Sequence, residues 1–140
     1  MDRRAQRERA FLLVFERSFH ICDADEEVAP MKSYFDDKII CGFTRQIFEG
    51  VQKYEQKIDK IISSSIVGWD KNRLSRVVLC ILKLAVYEML FEDDIPVGVS
   101  INEAVEITKK YGAEKSSSFV NGVLGIIAVR LETSNSKVRK

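Results

Sequence analysis

The sequence is poor in residues that interrupt helices and in residues that perform acid–base catalysis. Its 140 residues include seven glycines, two prolines and a single histidine, His20. Scarce glycine and proline favour long helices, and one histidine gives little support for a catalytic pair, so a helix-end or surface role is favoured for it. Neither GxxxxGK[ST] nor GxGxxG occurs, so no nucleotide cofactor is predicted. No enzyme activity is expected.

Metal sites, membrane spans and secretion signals are equally unsupported by the sequence. No CxxC pair is formed by the three cysteines, Cys22, Cys41 and Cys80, so neither a zinc site nor a disulfide framework is predicted. The longest apolar stretch, 77–91, is too short and too charged to cross a bilayer. The N-terminus lacks the apolar segment of a signal peptide, which favours a cytoplasmic location.

Apolar residues recur at three- and four-residue intervals along most of the chain, a pattern typical of helices that bury one face. The predicted helices cover about 3–19, 34–52, 54–63, 73–91, 100–111 and 116–131. The segment 73–91 is apolar nearly all round, which predicts a central helix. Ser100 and Glu103 have the spacing of a capping box at a helix start. We expect one all-α domain over 1–133 and a frayed basic tail over 134–140.

The formal net charge of +1 means that any binding to nucleic acid must come from a local basic patch. Three arginines, Arg3, Arg4 and Arg7, cluster at the start of the first predicted helix, where we expect them to be exposed. Guanidinium groups pair well with phosphates, and cations at a helix N-terminus oppose the helix dipole. Surface arginines are common, however, so RNA contact and an ordinary solvated surface both stay open.

Several segments resemble the signature of the NusB family, and together they extend over nearly the whole chain. They are INEAVE at 101–106, KKYG at 109–112, FVNGVL at 119–124, ILKLAVYE at 81–88 and the arginine-rich start. The resemblance implies a fold of about seven helices in two small bundles. Together with the helices counted above, the expectation is six to seven helices in two sub-bundles around the central apolar helix.

The resemblance also implies a function. A NusB-like chain is expected to bind the single-stranded boxA element of ribosomal-RNA leaders with a ribosomal protein, NusE, in antitermination complexes on RNA polymerase. Carried over by position, Arg3, Arg4 and Arg7 would hold phosphates and Lys83 would add a charge. Phe119 would stack on an unpaired base, although it equally suits a core position at the start of the last helix.

Three further positions are candidate contacts, and two of them carry two interpretations each. Asn121 belongs to the family motif and suits either RNA contact or a structural hydrogen bond. Phe15 lies where the family presents an aromatic residue to its protein partner, and its helical spacing equally suits the core. Lys115 stands where an acidic residue is common, a change that favours RNA binding.

Val78 and Leu79 depart from the resemblance, because the family commonly has an acidic and then a basic residue there. Two apolar side chains either thicken the core or create an exposed apolar patch. An exposed patch would suit an altered contact with NusE or a homodimer. The alternative hypothesis is therefore a protein-only helical scaffold or homodimer that uses Val78 and Leu79.

Overall fold

The fold is that of a computed structural model. The structure describes residues 3–18, 42–66, 75–92, 94–113 and 115–134. Within these ranges the chain forms six helices and no strand: α1 (Arg3–Ser18), α2 (Gly42–Lys53), α3 (Glu55–Ser65), α4 (Arg76–Phe91), α5 (Val97–Tyr111) and α6 (Ser116–Ser134). The predicted all-α class is confirmed. His20, Cys22, Cys41, the first part of the helix predicted at 34–52 and most of the tail lie outside the described residues.

Helix α4 is the centre of the fold. Val78 and every residue of 80–90 are buried, because α4 packs against each of the other five helices. Helix α1 packs with α2 and α5 packs with α6, and both pairs lie against α4, while α3 contacts α2, α4 and α6. The expected arrangement around a central apolar helix is confirmed. No helix among the described residues is long and apolar enough to cross a membrane.

Helices α2 and α3 are separated by a single residue, Tyr54, whose backbone leaves the helical range at φ −107° and ψ 22°. The hydrogen-bonded ladder nevertheless reaches across this break, since the Tyr54 amide donates to Gly50 O at 3.0 Å and Ile58 donates to Tyr54 O at 2.9 Å. The two helices therefore form one kinked rod.

Helix α5 begins earlier than the sequence predicts. The first helical residue is Val97, and Pro96 O accepts the first-turn amides of Val99 at 2.9 Å and Ser100 at 3.2 Å. The prediction of a capping box at Ser100 and Glu103 is wrong, because both residues lie inside the helix. Their side chains are thereby free to act in tertiary contacts.

Candidate nucleic-acid interface

Two of the three predicted arginines are presented at the surface by the start of α1. The Arg3 guanidinium lies 3.9 Å from the centre of the Phe43 ring. Arg4 forms a bidentate ion pair with Glu103, with Nε 2.9 Å from Oε1 and Nη2 2.8 Å from Oε2. The Arg4 side chain is still 59% exposed. Both side chains are therefore held in place while facing solvent, which favours recognition of a phosphate.

Arg7 lies in the interior, and the expectation that it is exposed is wrong. Its side chain is 4% exposed, and its Nε and Nη2 donate to the two carboxylate oxygens of Glu88 at 2.6 and 3.0 Å. Its Nη1 lies 3.6 Å from Glu103. Arg7 lies one helical turn after Arg3, where α1 already packs against α4. The Arg7 side chain therefore points into the interior. It fixes α1 to α4 and is not placed to reach a phosphate.

Glu88 and Glu103 are the acidic partners of the α1 arginines, and the sequence did not predict these pairs. Glu88 also accepts a hydrogen bond from the Ser100 hydroxyl at 3.1 Å. Burial raises the pKa of the Glu88 carboxyl, against the opposing effect of Arg7 and Ser100. The sequence signal for Glu88 was an acidic side chain inside the mainly apolar segment 77–91, since a buried charge needs a partner. Through this network the core determines the direction of the exposed Arg4.

The second turn of α1 is tied to the end of α5. Glu8 accepts from Lys110 Nζ at 2.7 Å and from the Tyr111 hydroxyl. Burial raises the pKa of the Glu8 carboxyl, but these bonds outweigh it and hold the pKa below its usual value. Burial and the Glu8 carboxylate raise the pKa of Tyr111 to about 12. The pairs Arg4–Glu103 and Glu8–Lys110 therefore connect the first two turns of α1 to α5.

Lys83 does not lie with the surface arginines. Its side chain is 10% exposed, and its Nζ is 2.7 Å from Glu55 and 3.7 Å from Asp59 on α3. The expectation that Lys83 adds charge to an RNA surface is not supported by this position. Its charge is balanced inside the α3–α4 contact.

The predicted residues of α6 and of the turn before it are spread over different environments. Lys115 and Asn121 are exposed. Phe119 is half-buried against the core and lines an open groove of about 400 Å³ between α3 and α6, together with Ser65 and Ile66. This groove and the cleft beside Arg3 and Arg4 share no lining residue. The structure thus does not bring Phe119 together with the arginines.

The three predicted partner-binding residues belong mainly to the interior. Val78 is 4% exposed and lies in the core. Leu79 is half-buried and lines a cavity of about 170 Å³ between α1, α2 and α4. Phe15 is half-buried and stacks on Phe11, with 5.9 Å between ring centres. The hypothesis of an exposed apolar patch centred on Val78 is therefore wrong. Val78 instead adds to the core.

A model described as the NusB family matches residues 4–128 of the chain. The chain belongs to the NusB family. Transcription antitermination protein NusB of Bacillus licheniformis is 42% identical over 132 residues, which cover 94% of this chain and 100% of the relative. The solved structure of NusB from T. maritima is 38% identical, with a TM-score of 0.80 and coverage of 92% of each chain.

A chain in the crystal structure of antitermination factors NusB and NusE in complex with dsRNA has the same fold. The TM-score is 0.68 at 24% identity, over 93% of this chain and 99% of that chain. At this identity the likeness establishes the fold alone. The resemblance to the NusB family that the motifs indicated is confirmed, whereas the roles of individual residues rest on the geometry above.

Proposed function

We propose that this NusB-family chain is an RNA-binding transcription antitermination factor that binds boxA-type single-stranded RNA together with NusE on RNA polymerase. Its relatives are transcription antitermination proteins by name. NusE and RNA, which are bound to NusB in the related crystal structure, are the kinds of partner that we propose for this chain. We further propose that the chain acts by binding and not by catalysis, and that it does so in the cytoplasm, where RNA polymerase works.

The observation that carries this proposal is the pair of exposed, oriented guanidinium groups at the start of α1. Arg3 rests on Phe43, and Arg4 is fixed by Glu103, which also lies next to the buried Arg7. A guanidinium that is already held in place loses less conformational entropy when it binds a phosphate. These two residues are therefore the main phosphate contacts that we assign.

Lys115 and Asn121 add exposed polar groups near the start of α6, and we assign them secondary contacts with the strand. Phe119 would contribute a partly exposed ring edge for a base. The net charge of +1 supplies little long-range attraction. Affinity for RNA should therefore be modest for the chain alone and should rise when NusE contributes contacts to the same strand.

The test is a titration of a short boxA-type RNA with the wild type and with an Arg3→Gln, Arg4→Gln variant. We expect the variant to bind at least about tenfold more weakly at low salt, since two charge-assisted contacts are lost. The slope of log K against log salt should fall by about 1 to 1.5, which corresponds to two phosphates on a single strand. Adding NusE should tighten binding of the wild type.

The matched control is Arg45→Gln, Lys109→Gln, which removes the same charge from partly exposed side chains on α2 and α5. It should leave affinity for the short RNA nearly unchanged. Equal affinity and equal salt slope for the wild type and the Arg3, Arg4 variant, with both folded by circular dichroism, would refute the proposed interface.

A further inference from the structure

Helix α3 separates its charges by face. Its two acidic side chains, Glu55 and Asp59, point toward the molecule and lie 2.7 and 3.7 Å from Lys83 Nζ. Glu55 is also 3.3 Å from Arg17 on α1. The inward face of α3 is therefore occupied by ion pairs with α1 and α4, and its acidic groups do not neutralise the outward face.

The outward side of the rod formed by α2 and α3 carries three exposed lysines, Lys53 at the end of α2 and Lys57 and Lys60 on α3. Spacings of four and three residues place them in a row along one side of the kinked rod. Within the described residues none of the three has an ion-pair partner. The exposed Glu49, one turn before Lys53, lies 3.8 Å from Arg45. In a chain of net charge +1, this row is a local positive surface.

Two aromatic rings lie beside this row. Tyr54 and Phe91 are half-buried and stacked, with ring centres 4.4 Å apart and planes 25° apart. Lys53 Nζ is 5.3 Å from the centre of the Tyr54 ring, and Lys57 Nζ is 5.8 Å from the centre of the Phe91 ring. Exposed ammonium groups around partly exposed rings are the combination by which proteins bind single-stranded nucleic acid.

This surface is distinct from the start of α1. Arg3 contacts Phe43 at the beginning of α2, whereas Tyr54 follows the end of α2, about 16 Å further along the helix axis. A strand that reaches both places must therefore be longer than one that binds the α1 arginines alone.

We propose that Lys53, Lys57, Lys60, Tyr54 and Phe91 form a second contact surface for single-stranded RNA, here named the α3 surface. The lysines bind phosphates, and a base packs against the exposed edge of the Tyr54–Phe91 pair. The inference rests on the proposed function, because it extends the RNA strand beyond the α1 arginines.

The test compares a long RNA with a short one. The long RNA is a boxA-type strand of about 12 nucleotides, which at about 3.4 Å or more per nucleotide is long enough to span both surfaces. The short RNA is a boxA fragment of about 3 nucleotides, which is too short to do so. The variant is Lys53→Gln, Lys57→Gln, Lys60→Gln, and its matched control replaces the same three lysines with arginine. We expect the glutamine variant to bind the long RNA at least about tenfold more weakly at low salt, with a salt slope lower by about 2. Its affinity for the short RNA should stay unchanged, and the arginine control should bind both RNAs as the wild type does.

A second variant, Tyr54→Leu, keeps the charge and removes the ring. It should weaken binding of the long RNA by about fivefold or more, as expected for loss of one base–aromatic contact. Full affinity of Tyr54→Leu for the long RNA, with the variant folded by circular dichroism, would disprove the aromatic part of the surface.

The outcomes separate this inference from the proposed function. If the wild type binds neither RNA, with or without NusE, the proposed function fails. If the wild type binds both RNAs and the glutamine variant binds the long one equally well, the α3 surface is refuted and the proposed function stands. If the glutamine variant binds both RNAs equally more weakly than the wild type does, the proposal of a separate surface is also overturned. Loss of NusE binding without loss of RNA binding would make the α3 surface a protein contact and overturn the inference.

Discussion

Arg7 carries a positive charge into the interior, between α1 and α4. Its guanidinium is paired with Glu88 by two hydrogen bonds and lies near Glu103. Taking two charges out of water is unfavourable, and only close pairing with good geometry offsets that cost. Removing one member of such a pair leaves the other charge buried alone. The same pair holds in place the helix turn that presents Arg3 and Arg4.

We predict that Arg7→Met lowers the free energy of unfolding by about 3–5 kcal/mol at pH 7, because Glu88 is left as an unpaired buried carboxylate. Burial already raises the pKa of Glu88 above 4.5, and loss of Arg7 raises it further. A carboxyl whose folded pKa is raised stabilises the fold most below its unfolded pKa and loses that contribution as the pH rises. In urea titrations, the difference in unfolding free energy between Arg7→Met and the wild type should therefore become smaller as the pH is lowered toward 4.5.

The control for this prediction is Arg7→Met, Glu88→Met, in which both charges are absent. It should be more stable at pH 7 than Arg7→Met, because no charge is left unpaired in the core. A double variant that is no more stable than the single variant would argue against a desolvated Glu88 as the cause.

The contact between α2 and α4 depends on a glycine, Gly50, which makes the closest approach among the glycines of the described residues. A Cβ atom added at Gly50 would overlap the ring of Tyr87, so the two helices meet at this distance only because position 50 has no side chain. At Gly122 and Gly125 on α6, in contrast, nothing lies within 4 Å of an added Cβ, so neither glycine is needed for close helix contact.

We predict opposite effects for two Gly→Ala changes. Gly50→Ala should destabilise the fold by about 1–3 kcal/mol, because Tyr87 or the helix must shift. Gly122→Ala should stabilise it by about 0.5–1 kcal/mol, because alanine is the better helix former and space is available. Thermal unfolding of both variants measures these changes in stability. A Gly50→Ala variant more stable than the wild type would contradict the close packing of Gly50 against Tyr87.

Across the whole molecule, opposite charges are distributed between interior contacts and the surface. Lys83 and Arg17 face Glu55 where α1, α3 and α4 meet. Burial raises the pKa of the Glu55 carboxyl, but the hydrogen bond and charge of Lys83, with Arg17, outweigh it and hold the pKa below its usual value. A carboxyl with a lowered folded pKa stabilises the fold above its unfolded pKa and loses that contribution as the pH falls through the folded value.

Glu55→Gln should therefore lower the unfolding free energy by about 1–2 kcal/mol at pH 7. The difference from the wild type should begin to shrink as the pH falls through 4.5 and should disappear only below the lowered pKa of Glu55, where the carboxyl is protonated in the folded wild type as well. The control is Glu132→Gln on the exposed surface of α6, for which we expect little change at either pH. A Glu55→Gln deficit that is constant down to acid pH would exclude a charge effect.

The helices were predictable because their evidence is local. Apolar periodicity indicated α1, α3, α4 and α6 to within a few residues, and the family motifs lie on α4, α5 and α6. The start of α5 was misplaced because Ser100 and Glu103 match a helix cap by spacing alone. Their actual partners, Glu88, Arg4 and Arg7, lie on other helices.

The sequence by itself determined the all-helical class, the central position of α4 and the family, since periodicity, composition and motifs are properties of consecutive residues. Only the tertiary structure decided which charged residues are interior. Arg3, Arg4 and Arg7 are the same residue type within one short segment. Of the three, Arg7 pairs with Glu88, which is 81 positions away in the chain. Burial depends on contacts between distant segments, and a local pattern carries no information about which of those contacts form.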